Sequence, residues 1–502
     1  MRTRPDAGFS PSTGPARGRY TGGMTSTDPF DVLVIGCGQA AMPLVPKLVE
    51  AGLRVGLCER RHLGGSCVNF GCTPTKAALA PAHAAAVTRR GTISPLLGDS
   101  AVDFAGLMDR ARHVRDSANN SINEKFAELA RRGDRFELIR GHARLAGRDG
   151  GRFVVECDGR RLTADKVILE TGTRTLRPPI EGLGDLDEGP RGRLMTAGNW
   201  IERRSHPGRM VIAGGGYIGL EGSQLYRTAD PDRSVLIVEK GDRVAKKEDR
   251  DVSDELQRLV ARDGVGFRLN RKVSAVREEG GELKVTLEAD DGQSETVAAD
   301  TLYLTPGRVP NTDDLGLDTV SCPTDDRGNL DVDDLYQTSV KGLYAVGDIT
   351  GGKMFTHSAQ YANKVLADLF AGDGRMRRPD EDLIPYAMFT DPPLGRCGIT
   401  QTQADERGLD AVSITFPAKK NDRHYQSGHD EGFIKLTGDR GTGRLLGAAF
   451  LCERGPDLAT QLQLVLWQGG DLDLITKTMF IHPTFSEATL SACHKLQREL
   501  FK

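Results

Sequence analysis

The chain of 502 residues reads twice through one plan. In the first pass an apolar run, Asp31-Val-Leu-Val-Ile35, enters the turn Gly36-Cys37-Gly38-Gln39-Ala40-Ala41 and a helical stretch, and a second run, Arg54-Val-Gly-Leu-Cys58, ends at Glu59. Further on, the hairpin signal Asp158-Gly159 leads to a strand, Lys166-Val-Ile-Leu-Glu170, and a tight turn at Thr171-Gly172-Thr173. The second pass repeats the order: Met210-Val-Ile-Ala213 enters Gly214-Gly215-Gly216-Tyr217-Ile218-Gly219, and Ser234-Val-Leu-Ile-Val238 ends at Glu239. Asp291-Gly292 then leads to Thr301-Leu-Tyr-Leu304 and the turn Thr305-Pro306-Gly307. One glycine-rich turn is a common false positive. Two complete copies imply an α/β protein with two Rossmann-like dinucleotide-binding domains, the second inserted in the first.

The chemistry of each turn belongs to the backbone. Gly36 and Gly38, and Gly214, Gly216 and Gly219, let the chain approach a pyrophosphate, and the helix that follows presents free N–H groups to it. Ala41 stands where the third glycine is usual, a change the pattern permits. Glu59 and Glu239 each fall about 20 residues downstream, where an acid accepts from a ribose hydroxyl.

Beside the first copy lies a pair of thiols, in Gly64-Gly65-Ser66-Cys67-Val68-Asn69-Phe70-Gly71-Cys72-Thr73-Pro74-Thr75-Lys76. On an ideal helix, residues five apart are separated by about 7.5 Å along the axis, whereas a disulfide seldom tolerates Cα atoms beyond about 7 Å. If these thiols bond, the helix start between them must be distorted. Asn69, Gly71 and Pro74 supply the means, since Gly accepts unusual dihedrals and Pro suits a first helical turn. Zinc needs a second close ligand pair, and none stands at matching spacing, so redox chemistry is preferred and no metal site is expected.

The segment from Gly64 to Lys76 resembles the active-site signature of the class I pyridine nucleotide-disulfide oxidoreductases, which include dihydrolipoyl dehydrogenase, glutathione reductase and mercuric reductase. The likeness runs from about Phe30 to the C-terminus. Ala345-Val-Gly-Asp348 resembles the family's second flavin motif, and Phe389-Thr-Asp-Pro-Pro-Leu-Gly-Arg396 the start of its interface domain. Ile481-His482-Pro483-Thr484-Phe485-Ser486-Glu487 is similar to the C-terminal motif in which a histidine, oriented by a glutamate, reaches into the partner subunit and serves the dithiol as acid and base.

The resemblance implies an enzyme in which FAD occupies the first domain and a nicotinamide nucleotide the second. Electrons pass from nicotinamide to FAD, to a Cys67–Cys72 disulfide, and on to substrate. Cys72 is then the flavin-facing thiol and Cys67 the exchanging one, with Lys76 and Glu221 paired beside the flavin. FAD is expected to meet Gly36, Gly38, Ala41, Glu59, Gly65, Thr171, Gly172 and Asp348, and the nicotinamide nucleotide Gly214, Gly216, Tyr217, Gly219, Glu239 and Gly307. Tyr217 sits where some relatives carry an aromatic lid, although a packing tyrosine fits nearly as well. A carboxylate at Glu239 repels a 2′-phosphate, so NADH is expected in preference to NADPH. The basic run Lys240, Arg243, Lys246 and Lys247 keeps NADPH in play. His357 reads as structural.

Thr-Pro-Thr-Lys and Thr-Asp-Pro-Pro look most like the branch labelled mercuric-reductase-like, and no vicinal cysteine pair ends the chain. The expected partner is a small-molecule disulfide, thiol or metal-ion acceptor. Alternatives are a dihydrolipoyl dehydrogenase, an NADH oxidase or diaphorase, and a non-catalytic flavoprotein subunit of a complex. A net charge of -3 gives no footprint for nucleic acid, and no apolar run reaches the roughly 18 residues that span a membrane. Nine scattered cysteines do not form a secreted framework, so a cytoplasmic protein is expected, and the resemblance implies a homodimer. The domain plan is a disordered extension over 1–28, with Met24 a candidate natural start, FAD-binding parts at 29–180 and 301–380, an NAD(P)-binding domain at 181–300, and an α+β dimerisation domain at 381–502. The charged stretch from Val102 to Gly141 reads as one extended helix.

Overall fold

The structure is a computed structural model that describes residues 28–89, 96 and 101–502. The expected N-terminal extension, apart from Asp28, lies outside the described residues.

Phe30–Ile35 is buried except at the partly buried Asp31 and forms the centre of the first sheet, because its apolar run Val32–Ile35 needs cover on both faces. It pairs in parallel with Val55–Glu59 on one side and Arg160–Leu169 on the other, with Ile35 opposite Cys58 and Leu169. The sheet runs Phe136–Arg140, Val55–Glu59, Phe30–Ile35, Arg160–Leu169, Arg152–Cys157, Ala143–Asp149, and Leu343–Ala345 adds in parallel to Arg160–Leu169. Asp158 and Gly159 both take positive φ, 47° and 77°, and close the antiparallel hairpin that the sequence signals.

The second sheet repeats this centre. Met210–Ala213 pairs in parallel with Val235–Val238 and with Thr301–Leu304, flanked by Val265–Arg268 and Leu194–Thr196. Three antiparallel strands, Lys272–Glu279, Glu282–Glu288 and Ser294–Ala299, complete this unit. The chain leaves the first unit and returns to it along one ribbon, Thr173–Thr175 antiparallel to Arg308–Pro310. The third unit is an antiparallel sheet in the order Tyr386–Met388, Leu394–Gly398, Leu445–Leu451, Phe433–Asp439, Ala411–Pro417.

Two expectations need correction. The boundary at 300/301 falls too early, because Thr301–Leu304 supplies the strand beside Met210–Ala213 and belongs to the inserted unit. The stretch from Val102 to Gly141 is not one helix: Phe104–Arg131 is helical, and Phe136–Arg140 is a strand paired with Val55–Glu59. Gly133 and Asp134 break the helix, and Phe136 and Ile139 then go to the core.

Candidate active site

The dithiol segment is built onto the first glycine-rich turn. Gly64, at φ 93°, starts the short helix Gly65–Asn69, its N–H donates to the Cys37 carbonyl at 2.8 Å, and Gln39 Nε2 donates to the Gly64 carbonyl at 3.1 Å. A Cβ at Gly65 would lie 3.0 Å from the Gly38 Cα, so that glycine sets how closely the two segments pack. Asn69 Nδ2 ties the short helix down through the Leu63 and Gly65 carbonyls. The helix breaks at Phe70 and Gly71, where ψ is -22° and then -115°, and a second helix, Cys72–Val87, begins with Pro74 in its first turn. Cys67 and Cys72 thus sit on two helices across a break. Trp200 Nε1, from the inserted unit, holds the break through the Phe70 carbonyl at 2.6 Å.

The two thiols are free and hydrogen-bonded to each other. Cys72 is the acidic member. The Cys67 hydrogen bond lowers its pKa most, burial opposes that, and the Thr356 hydroxyl, 3.4 Å from Sγ, and the Lys76 charge lower it further. Cys67 moves up, chiefly through the same hydrogen bond and then through burial. Lys76 Nζ lies 2.8 Å from Glu221 Oε2 and 4.6 Å from the centroid of Phe389, whose N–H donates to Glu221 Oε1 at 2.8 Å.

The acids of the two copies take matching positions. Glu59 accepts from Cys37 N–H at 2.9 Å and Arg61 N–H at 2.6 Å, and Glu239 from Gly215 N–H and Gly241 N–H, both at 2.8 Å. Gly36 and Gly214 carry φ of 98° and 119°, and a Cβ at either would strike the carbonyl of Glu170 or Thr305. Around Gly172, Gly216 and Gly307 nothing stands where a Cβ would be, so the backbone is open to a ligand there. Asp348 accepts from Thr173 Oγ1 at 3.1 Å, and Thr171 is held by Asn311 through both its hydroxyl and its carbonyl. These features fit a dinucleotide in each unit. Ala41 starts the helix Ala41–Glu50, and its N–H already has an acceptor, Glu170.

Tyr217 donates to Glu248 at 2.6 Å and stacks on Tyr386 at 5.7 Å, so it packs across to the third unit. His357 stacks on Phe355 and meets the Pro385 carbonyl, which makes it a packing residue. His482 Nδ1 is 3.0 Å from Glu487 Oε1, and Glu487 Oε2 accepts from Thr484 N–H at 2.8 Å. The Thr484 N–H and then His482 hold the Glu487 carboxyl below its ordinary range. Among the described residues, no hydrogen bond or ion pair joins His482 to either cysteine of its own chain, and its side chain is 65% exposed.

Sequence reasoning missed Thr356, Phe389 and Glu170. Thr356 and Phe389 had no local signal, since their roles come from distant packing. Glu170 had one, an acid ending a buried apolar strand.

A family model described as pyridine nucleotide-disulphide oxidoreductase matches residues 30–362, and the dimerisation domain of the same family matches residues 384–493. The chain is 30% identical to dihydrolipoyl dehydrogenase of Halobacterium salinarum over 92% of this chain and 95% of that protein. It is 28% identical to mercuric reductase of Lysinibacillus sphaericus, over 95% and 85% respectively. In structure it resembles the Cu(II) complex of the HOCl-induced flavoprotein disulfide reductase RclA from Escherichia coli, with a TM-score of 0.81, 26% identity, and coverage of 93% of this chain and 99% of that one.

Proposed function

Since the chain belongs to the class I pyridine nucleotide-disulfide oxidoreductases, an enzyme family that uses FAD and a pyridine nucleotide, we propose that it is an NADH-preferring reductase of the mercuric-reductase-like branch. Its acceptor is a small disulfide or a thiol-ligated metal ion. The observation that carries this reading is the asymmetric dithiol, with Cys72 acidified by Cys67, Thr356 and Lys76.

When bound, FAD and the nicotinamide supply a two-electron relay to the dithiol. The rest is protein chemistry. Cys67, the more basic thiol, attacks an acceptor disulfide as thiolate, and one acceptor thiol leaves with a proton. Cys72 thiolate then attacks Cys67 sulfur, the second acceptor thiol leaves, and the Cys67–Cys72 disulfide is restored. Lys76, anchored by Glu221, holds positive charge beside the thiolate. His482 of the partner subunit, aligned by Glu487, moves protons to and from Cys67. The dimerisation domain supports that arrangement, since His482 is exposed and, among the described residues, makes no hydrogen bond or ion pair with the dithiol of its own chain. Glu239 favours a free 2′-hydroxyl and so NADH.

The test is anaerobic reduction with NADH followed by lipoamide, low-molecular-weight disulfides, Hg(II) or Cu(II) as acceptor. Turnover with one of these should vanish in Cys67→Ser and Cys72→Ser. Turnover that survives both substitutions would instead favour an oxidase or diaphorase working from the flavin.

A further inference from the structure

The duplicated plan supplies its own control. Glu170 and Thr305 occupy the same place in the two copies, one residue beyond the strand that pairs with the fingerprint strand. Thr305 Oγ1 donates to the Gly214 carbonyl at 2.9 Å, and among the described residues no side chain accepts from the N–H of Gly216, Ile218 or Gly219. The second nest of donors is therefore open. In the first copy, Glu170 accepts from Ala40 N–H at 2.7 Å, Ala41 N–H at 2.8 Å and Gly38 N–H at 3.2 Å. These are the groups with which such a turn receives a pyrophosphate, so an internal carboxyl stands where an anionic ligand is to be held.

The surroundings make a full negative charge on Glu170 costly. The residue is 7% exposed. Asp348 faces it from the short turn Gly347–Thr350, and Glu59 and the buried Cys37 share its neighbourhood on the fingerprint side. Arg308, the cation on this side, lies 4.0 Å from Asp348 and donates to Thr173. Burial, reinforced by Asp348 and opposed by the three N–H donors, pushes the Glu170 carboxyl up to about 7. A pyrophosphate brings further negative charge, which raises a neighbouring carboxyl again.

We propose that Glu170 is a proton-carrying binding residue of the FAD site: it holds the pyrophosphate as a neutral acid, one oxygen still accepting from the helix start and its hydroxyl donating to a phosphoryl oxygen. The step is a protonation with no electron transfer. The carboxylate takes one proton from solvent as FAD enters and returns it as FAD leaves. Affinity for FAD then falls as pH rises above about 7, by up to about tenfold per pH unit, because the free site must recover its proton in order to bind.

This inference rests on FAD occupying the first unit, and the two can fail separately. The holoenzyme is diluted in steps between pH 6 and 8.5, and released FAD is read by its fluorescence. The dissociation constant of wild type is expected to be about fivefold higher at pH 8 than at pH 7, because the free carboxyl is already half ionised at pH 7, while that of Glu170→Gln stays within twofold. A flat wild-type profile, or the same slope in Glu170→Gln, overturns the assignment and leaves the FAD reading standing. Purified protein without any flavin overturns both. If Glu170→Gln fails to fold, proton release from wild type at pH 8, followed with an indicator dye in weak buffer, decides: close to one proton per FAD supports the role, and none ends it.

Discussion

Replacing Thr356 by Val removes the one hydroxyl that, among the described residues, contacts the Cys72 sulfur, and it should shift the titration of that thiol. The contact is 3.4 Å from oxygen to sulfur, and Cys72 is exposed in the single chain. A buried hydrogen bond to a charged group contributes about 1.5–3 kcal/mol. The length and exposure here place this one near about 1 kcal/mol, which corresponds to roughly 0.7 of a pKa unit. The sign follows from the charge state. The hydroxyl stabilises the thiolate, so its loss raises the Cys72 pKa and moves thiolate formation to higher pH. The assay is the long-wavelength absorbance expected when a thiolate contacts flavin, recorded on two-electron-reduced protein across pH 4 to 9. The midpoint should rise by about 0.5–1 unit in Thr356→Val and stay near wild type in Thr356→Ser, while Lys76→Met should raise it as well, since its charge acts in the same direction. An unchanged or lowered midpoint in Thr356→Val refutes the claim that this hydroxyl acidifies Cys72.

Four further outcomes are expected. Comparison of kcat/KM should favour NADH over NADPH, and a higher value with NADPH would mean that the lysines and arginine after Glu239 outweigh its carboxylate. Lys76→Met leaves Glu221, 10% exposed, without its cation; with Lys76 itself one-third exposed the cost is about 1–2 kcal/mol, seen as a lower thermal midpoint that Glu221→Gln in the same chain partly restores. His482→Ala should slow disulfide turnover by about 10² to 10⁴ while NADH still reduces the flavin at the wild-type rate. Mixed Cys67→Ser and His482→Ala chains should regain activity after subunit exchange, and verified heterodimers that stay inactive would exclude a shared site.

The parts legible in the sequence are those whose cause is local. The two fingerprints could be read because a strand, a turn with positive φ and a strand-terminal acid lie close together in the chain, and Gly36 and Gly214 do meet the backbone that their lack of a Cβ allows. The break between Cys67 and Cys72 was legible for the same reason, from Asn69, Gly71 and Pro74. What could not be read depends on distant partners. Nothing near Thr356 marks it as a neighbour of Cys72, 284 residues away. The strand Phe136–Arg140 is only five residues long and follows a long charged, helix-periodic stretch, so what defines it is its pairing with Val55–Glu59, a partner distant in sequence. The boundary at 300/301 failed because domain insertion places the last strand of the inserted sheet directly before the returning ribbon.

The Lys76–Glu221 pair shows why the dithiol needs the whole chain around it. Lys76 comes from the helix that Cys72 begins, Glu221 from the first helix of the inserted unit, and Phe389 from the start of the third unit. Glu221 divides its two oxygens between the other two units, one to the Lys76 ammonium and one to the Phe389 N–H, and the Phe389 ring lies close to the same ammonium. A mostly buried carboxylate is tolerated when both oxygens have charged or N–H partners, and it becomes costly when either is lost. Separating the third unit would therefore leave one oxygen of Glu221 unpaired and remove the ring beside Lys76. That would loosen the cation that acidifies Cys72, so the redox pair depends on packing contributed by a unit that carries neither thiol.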